Sequence, residues 1–475
     1  MTSGTSAHFN PGWLFIKAPY AEGGKSMRVC VNSQTPFVKF KLSLEDLVKK
    51  YGSLSDPVDL ADLKEGVDYD FSPGGVTAMV YPLVRRMLAG GYVSKVTWVS
   101  LGVKYPPRVK MGDILVSHIE LPDNVLRDYS AFKEGLWAQI HGFSGELTFD
   151  PWYEAYSRYN WVNADRLLQL RDQADVYYVQ DFQLLLTGGI IGPPAPAVLR
   201  WHVPYVPEAM PRLTHRAVTK WSESFDSIVV STRRDLEGLI KSQYKGRAHQ
   251  VYPFVDPDDW KEPAKGPVID ALKERIGLEP DEQLFLMVAR MDRIKSHDVA
   301  IRALSHLRNR GHFKLVFIGN GSFSSSKEGG LGHGKGETWK AELEELVAEL
   351  GLQNRVSFLG YVSKDEIRAA YALASVVLLT SGLEGFGISA LEGWINKKPV
   401  VVSKGAGVSE LVIDGSNGYS FPPGNDGAAS EAILKSLAGS EKLGENGFET
   451  AKQCHIDVAV EREKAVLEEA ISIYK

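Results

Sequence analysis

Cysteine is nearly absent. The 475 residues hold two, Cys30 and Cys454, far apart in the chain. That excludes a disulfide framework and a cysteine-built metal centre. A large excess of one charge is missing too. Basic residues number 54 and acidic ones 59, a net charge of −5, so nothing global draws the chain to nucleic acid or an anionic membrane. Long apolar runs are also missing. No stretch reaches transmembrane length, and the residues before Met27 lack the apolar run of a signal peptide, so a cytoplasmic protein is expected. What remains is an ordinary globular mixture, 44% apolar and 24% charged. The length exceeds what one hydrophobic core usually serves, and two domains are the natural expectation.

The chain reads as two rounds of alternating strands and helices. In the first, short apolar runs at 27–31, 96–100, 176–179, 197–201 and 227–231 read as strands, with helical patterns such as 76–88 between them. The stretch 252–267 changes character. It carries prolines at 253, 257 and 263 and several aspartates, and reads as a linker. The alternation then restarts, with strands at 284–288, 314–318, 356–359, 375–379 and 399–403 and helices at 298–308 and 338–350. A final helix at 458–474 has no strand after it. Alternation of this kind predicts an α/β fold of two doubly wound, Rossmann-like domains with parallel sheets, facing each other across a cleft. The expected division is 1–253, 254–455, and a terminal helix at 456–475 that packs back on the first domain. Ligands of such sheets bind at the carboxyl ends of the strands. The polar segment from Ser322 to Gly336 is too hydrophilic for core and reads as a surface or ligand-closing loop.

Chemistry-bearing residues follow several of these strands. Glu384, Gly385, Phe386, Gly387, Ile388 and Ser389 link a strand to a helix, with Glu392 a turn further on. The glycines permit a tight turn and close approach to a ligand. The helix start offers amides to a diphosphate. The carboxylates can accept hydrogen bonds from sugar and ribose hydroxyls. The same pattern also fits a plain helix start, with Glu384 as cap and Glu392 favoured by the helix dipole. Arg290 and Lys295 follow another strand, where two cations can neutralise a leaving diphosphate. A solvated basic turn is the alternative. Gly74 and Gly75 open a helix in the first half as a second phosphate nest, or as an ordinary helix start. Asp181 and His202 follow strands of the first sheet and can bind sugar hydroxyls. As alternatives, Asp181 is a helix cap and His202 a structural histidine. Trp137, His141, Trp152, Tyr156 and Trp161 are aromatic candidates for stacking on a sugar or for the core.

These motifs carry a resemblance. The Glu384–Glu392 spacing, the Arg290–Lys295 pair and the run Gly405-Ala406-Gly407-Val408-Ser409-Glu410 resemble the donor-binding signature of retaining glycosyltransferases of the two-domain GT-B fold. That group includes sucrose synthase, glycogen synthase and trehalose glycosyltransferring synthase. In the first half, residues 152–168, Gln180-Asp181-Phe182-Gln183 and Trp201-His202-Val203-Pro204 are similar to segments of trehalose-6-phosphate synthases, as are Trp137 and His141. The resemblance implies a nucleoside diphosphate glucose, such as UDP-glucose, as co-substrate, with no cofactor or metal. It implies glucose 6-phosphate as acceptor, with free glucose or a glucan as alternatives, and retention through a front-face displacement. It implies that Arg290 and Lys295 hold the diphosphate, Glu384 the donor sugar, Glu392 the ribose, and His202 and Asp181 the transferred sugar. Gly74 and Gly75 would approach the diphosphate or acceptor, and the Val362 backbone would meet the base. The sequence departs from the trehalose pattern at Gln180 and Gln183, which stand where that family has histidines. It also lacks the family's amino-terminal phosphate-binding arginine, for which Lys327, Arg85 and Arg86 are the candidate replacements. A sugar-nucleotide sensor without turnover is the non-enzyme alternative. Partners are small molecules, and a homo-oligomer is compatible with the sequence.

Overall fold

The computed structural model of the chain describes residues 26–71, 75–143, 147, 149, 151–321 and 333–474. Two sheets organise it. The first has nine strands in the order Arg247–Gln250, Ser227–Val230, Ala197–Arg200, Val176–Gln180, Met27–Asn32, Val93–Leu101, Ile114–Ile119, Arg108–Met111, Val58–Asp59. The second has six: Val356–Phe358, Phe313–Ile318, Gln283–Val288, Val376–Leu379, Val400–Ser403, Gly418–Phe421. Every pairing in the second sheet is parallel. The first is mixed, contrary to the parallel sheet expected: Arg108–Met111 runs antiparallel to Ile114–Ile119. The turn between them is two residues, Gly112 and Asp113, too short for a parallel crossover. A separate antiparallel pair, Val38–Phe40 with Tyr69–Phe71, is also outside the sequence expectation.

Central strands are mostly apolar because helices cover both faces of each sheet. Phe313–Ile318 is buried at every position. Each sheet separates two apolar clusters. One face of the first sheet carries Val29, Val31 and Trp98, the other Cys30, Val99 and Tyr177. The second sheet likewise divides Leu284 and Leu286 from Phe285 and Met287. The last helix, Ile456–Ile473, places Ile456, Val460 and Leu467 in the first sheet's core. Its Glu463 reaches Arg200 of that sheet in a buried ion pair, 2.8 Å from Nε to Oε1. The same guanidinium donates to the carbonyls of Val229 and Val251, so both buried charges find partners.

The central parallel strands of each sheet have one switch point, where the strand order reverses. In the second, it reverses between Gln283–Val288 and Val376–Leu379. In the first, it reverses between Met27–Asn32 and Val176–Gln180. Chain leaving neighbouring strands in opposite directions opens a crevice at their carboxyl ends. Arg290, Lys295 and Glu384 follow the two switch strands of the second sheet. Asp181 follows a switch strand of the first, and His202 follows the strand beside it.

Candidate functional site

The loops after Gln283–Val288 and Val376–Leu379 are laced together. Asp292 accepts the Ile294 N–H and turns the chain into the short helix Arg293–Lys295. Thr380 Oγ1 donates to the carbonyl oxygens of Lys295, at 3.0 Å, and Ser296, at 2.8 Å. The Gly382 N–H donates to the Ile294 carbonyl at 2.9 Å. This frame brings Lys295 Nζ onto Glu384 Oε1 in an ion pair. Ser381 donates to the other carboxylate oxygen at 2.6 Å. Arg290 Nη1 lies 3.2 Å from Asp292 Oδ2.

Electrostatics follow from this packing. Burial pushes the Glu384 carboxyl up, but Lys295, Ser381 and Arg290 more than offset it, and it sits below the ordinary value. Burial pulls Arg290 down, opposed by Asp292 and Glu384. Two cations and two carboxylates thus meet at one edge, with Glu384 ionised. Glu384 is not the cap of the following helix. That cap is Gly387, which makes no side-chain bond.

Gly387 has φ of 109°, a left-handed conformation that glycine tolerates, and a side chain there would overlap Leu379. It starts the helix Ile388–Ile395, whose first amides, near Ile388 and Ser389, have no intrahelical acceptor. Phe386 is buried and packs on Tyr252, ring centroids 5.8 Å apart. Its ring therefore belongs to the core, and only its backbone faces the loop. Glu392 lies one turn into the helix and accepts the Tyr371 hydroxyl at 2.6 Å. Burial raises its carboxyl against that bond. Val362 has its side chain in the core beneath this edge.

On the first sheet, Asp181 follows Val176–Gln180 with φ of 68° and is 3% exposed. Its carboxylate accepts the backbone N–H of His202 at 3.2 Å. Burial raises the carboxyl to about 6 against that bond. His202 Nε2 lies 3.0 Å from Gln180 Oε1. Burial, with Arg200 behind it, pushes the ring's pKa well down, so His202 is neutral and donates from Nε2 to the glutamine oxygen. Gln180 thus acts as the ring's orienter. Asp181 braces the His202 backbone and makes no side-chain cap bond to the short helix Phe182–Leu184. If ionised Asp181 maintains this edge, kcat/KM should fall as pH drops through about 6. Below that pH the carboxylate gains its proton and loses acceptor strength. Asp181→Asn removes the titrating group, and a pH profile should then lose that acid limb.

The two edges touch. A side chain at Gly385 would overlap the His202 carbonyl oxygen, with the carbonyl carbons of His202 and Val203 at 3.3 and 3.4 Å. His141, on the first half, has its pKa pulled to about 4, by burial first and then by the cations Lys295 and Arg290 across the gap. Arg234 of the first half donates to the Glu384 carbonyl at 2.8 Å. Sequence reasoning assigned Arg234 no role, because its partner lies 150 positions away.

Other expected residues stand differently. Gly75 precedes the helix Val76–Ala89 with φ of 55°. Gly74 and Lys327, like most of the Ser322–Gly336 segment, lie outside the described residues. Arg86 is engaged by Asp256 at 3.3 Å, Asp258 at 3.6 Å and Asp457 at 3.2 Å, and Arg85 is exposed with its guanidinium over the Tyr81 ring. Arg86 is thus a tie between halves and not a free phosphate ligand. Tyr156 is core, while Trp152 and Trp161 are exposed. Cavities of about 700 and 290 Å³ occur in the first half, lined by Trp161 and Ile190 and by His118 and Asp165 respectively. Neither is lined by a residue of the facing edges.

Residues 268–450, which hold Arg290, Lys295, Glu384 and Glu392, match the family described as glycosyl transferases group 1. The carboxyl-terminal half contains a glycosyl transferases group 1 domain. The chain is 32% identical over 216 residues to the D-inositol 3-phosphate glycosyltransferase of Xylanimonas cellulosilytica, covering 45% of this chain and 48% of that one. The match thus spans about half the length of that relative. Among solved structures, an α,α-trehalose-phosphate synthase (UDP-forming) from Burkholderia xenovorans, in complex with glucose-6-phosphate, superposes with a TM-score of 0.72. It is 16% identical and covers 93% of this chain and 100% of that one. Sucrose-phosphate synthase from Thermosynechococcus elongatus gives a TM-score of 0.67 at 17% identity, over 94% and 99%. These likenesses establish the GT-B fold, two Rossmann-like halves with the group 1 domain as the second. Among the described residues no helix is long and apolar enough to cross a membrane.

Proposed function

We propose that the protein is a retaining hexosyltransferase that moves glucose from a nucleoside diphosphate glucose to a sugar or sugar-phosphate acceptor, in the manner of trehalose-6-phosphate synthase. The carrying observation is the half-buried set of Arg290, Lys295 and Glu384 at the switch point of the group 1 domain, with the adjoining Gly385 packed against the His202 carbonyl of the other half. Arg290 and Lys295 take the diphosphate, with the amides near Gly387 and Ile388. Glu384 takes hydroxyls of the donor sugar. Glu392 takes the ribose, and the Val362 backbone meets the base. His202, held by Gln180, faces the transferred sugar, with Asp181 bracing it. Gly75 contributes backbone on the acceptor side.

In the reaction, the acceptor hydroxyl oxygen bonds to the anomeric carbon as the carbon–oxygen bond to the diphosphate breaks. The hydroxyl proton passes to the departing phosphate oxygen on the same face, so configuration is retained without a protein nucleophile. Catalysis then consists of stabilising charge on the leaving group and aligning two sugars. Closure of the halves excludes water from the transferred glucose.

A phosphorylated cyclitol is a second acceptor reading, favoured by the 32% identity to a D-inositol 3-phosphate glycosyltransferase. A matrix of UDP-, ADP- and GDP-glucose against glucose, glucose 6-phosphate, inositol 3-phosphate and a primed glucan separates these, with products identified by mass. Release of nucleoside diphosphate only with glucose 6-phosphate supports the trehalose-type reading. Turnover only with inositol 3-phosphate or glucan replaces its acceptor. For the donor side, Glu392→Ala should raise donor KM about 10-fold with kcat little changed, the pattern of binding shared by ground and transition states. An unchanged KM would remove Glu392 from the ribose.

A further inference from the structure

Arg234 belongs to the first half, at the second position of the helix Arg233–Lys241, yet its guanidinium serves the other half. Nη1 donates to the Gly405 carbonyl at 3.0 Å. Nη2 donates to the Glu384 carbonyl at 2.8 Å and lies 3.4 Å from that of Gly385. Two of the acceptors, Glu384 and Gly385, are backbone oxygens of a loop that builds the cation–carboxylate edge, and the third, Gly405, lies on the neighbouring loop after Val400–Ser403. The segment is tied within its own half as well. Glu384 N–H donates to Gly405 at 3.0 Å, and the Glu384 carbonyl also accepts the Gly407 N–H at 3.2 Å. Arg234 closes this set from outside.

A reciprocal contact runs the other way. Glu410 of the group 1 domain accepts the N–H groups of Arg233 and Arg234 at 3.1 and 3.3 Å. It also accepts the Tyr252 hydroxyl at 2.7 Å. A carboxylate on the first amides of a helix is the favourable placement of negative charge there. Asp235, beside Arg234 at 3.4 Å, is buried and fixed by Thr232 Oγ1 and the Tyr205 N–H. The arginine therefore projects from a rigid base. Its planar fork reaches several carbonyls at once, which a lysine ammonium on a flexible stem does not reproduce.

We propose that Arg234 is a positioning residue: it clamps the Glu384–Gly385 backbone from the opposite half, so that placement of the Glu384 carboxylate depends on the two halves being closed. The clamp rests on the hydrogen-bond geometry. Its consequence for turnover rests on the function proposed above.

The test uses the full chain as wild type, Arg234→Ala, Arg234→Lys and Glu410→Gln. Hydrogen exchange is followed over 384–408, where the amides of Glu384, Gly407 and Val408 are hydrogen-bonded. Arg234→Ala should speed exchange there about 10-fold or more, since a local opening loses a restraint. Its kcat should fall about 10- to 100-fold through misplacement of Glu384. Calorimetric affinity for nucleoside diphosphate alone should stay within about 3-fold, because Arg290 and Lys295 remain. Arg234→Lys should recover part of the loss, and Glu410→Gln should reproduce the exchange change in weaker form. Unchanged exchange in Arg234→Ala, or a lysine variant equal to wild type in exchange and kcat, would overturn the clamp. A kcat loss that tracks only the folded fraction would overturn it too. If the wild type turns over no sugar nucleotide, the functional reading falls, and the exchange result alone decides the clamp.

Discussion

Replacing Lys295 by alanine is expected to lower kcat about 10²- to 10³-fold, the usual effect of removing one preorganised donor from a developing anion. Two losses combine. The leaving diphosphate loses a cation, and Glu384 loses the partner that holds its carboxyl down. Burial, the largest influence on Glu384, is then opposed only by Ser381 and Arg290, and its pKa rises from the wild-type position. A raised carboxyl keeps its proton to higher pH. The residual activity of Lys295→Ala should therefore climb as pH rises, where the wild type shows no such dependence on Glu384. Glu384→Gln in the same background should remove that climb. The double variant should cost less than the sum of the two singles, because the pair acts as a unit. Arg290→Ala should show a kcat loss of similar size without the pH climb, because Lys295 still neutralises Glu384. Near-normal turnover in either single variant would remove these cations from the leaving group.

Gly385→Ala is expected to lower kcat about 10²-fold, the scale of an ångström misplacement at the reacting centre. The added methyl would overlap the His202 carbonyl oxygen, and its three nearest atoms are backbone of His202 and Val203. No side-chain rotation relieves such a contact, so the two halves must separate. Gly385 carries no positive φ requirement. The group 1 domain itself should therefore fold as before. Thermal unfolding close to wild type, together with lost turnover and a larger radius of gyration by solution scattering, is the expected combination. Wild-type kcat in this variant would mean that the contact between the edges is not used in turnover.

Much of this edge was legible in the sequence because its determinants are local. An acid, two glycines and a second acid lie within nine positions, directly after a strand, and a basic pair lies within six positions of another. A strand's carboxyl end fixes the side of the sheet on which its loop emerges, so position along the chain sufficed to bring Arg290, Lys295 and Glu384 together. Features set by distant chain were not legible. Nothing around Thr232 signals that Arg234 will meet carbonyls 150 residues on. Gln180, which departs from the histidine of the resembling family, turned out to be the hydrogen-bond partner of His202.

Two strands near the sheet margins were missed for a related reason. Arg247–Gln250 reads Arg-Ala-His-Gln and Arg108–Met111 reads Arg-Val-Lys-Met. The first is the outermost strand of its sheet and the second is flanked on its outer side only by the two-residue strand Val58–Asp59, so both are held by pairing with a neighbour and need little apolar pattern of their own. The antiparallel pair Val38–Phe40 and Tyr69–Phe71 lies between the first strand and the Gly75 helix. That insertion interrupts the expected alternation.

Facing edges that transfer a sugar by front-face displacement must keep its anomeric configuration. Proton NMR of the product formed from UDP-glucose and glucose 6-phosphate tests it most directly. The expected product is a single disaccharide phosphate with an α-configured linkage at the transferred glucose, formed in step with UDP. A β-linked product, or free glucose and UDP with no disaccharide, would contradict it.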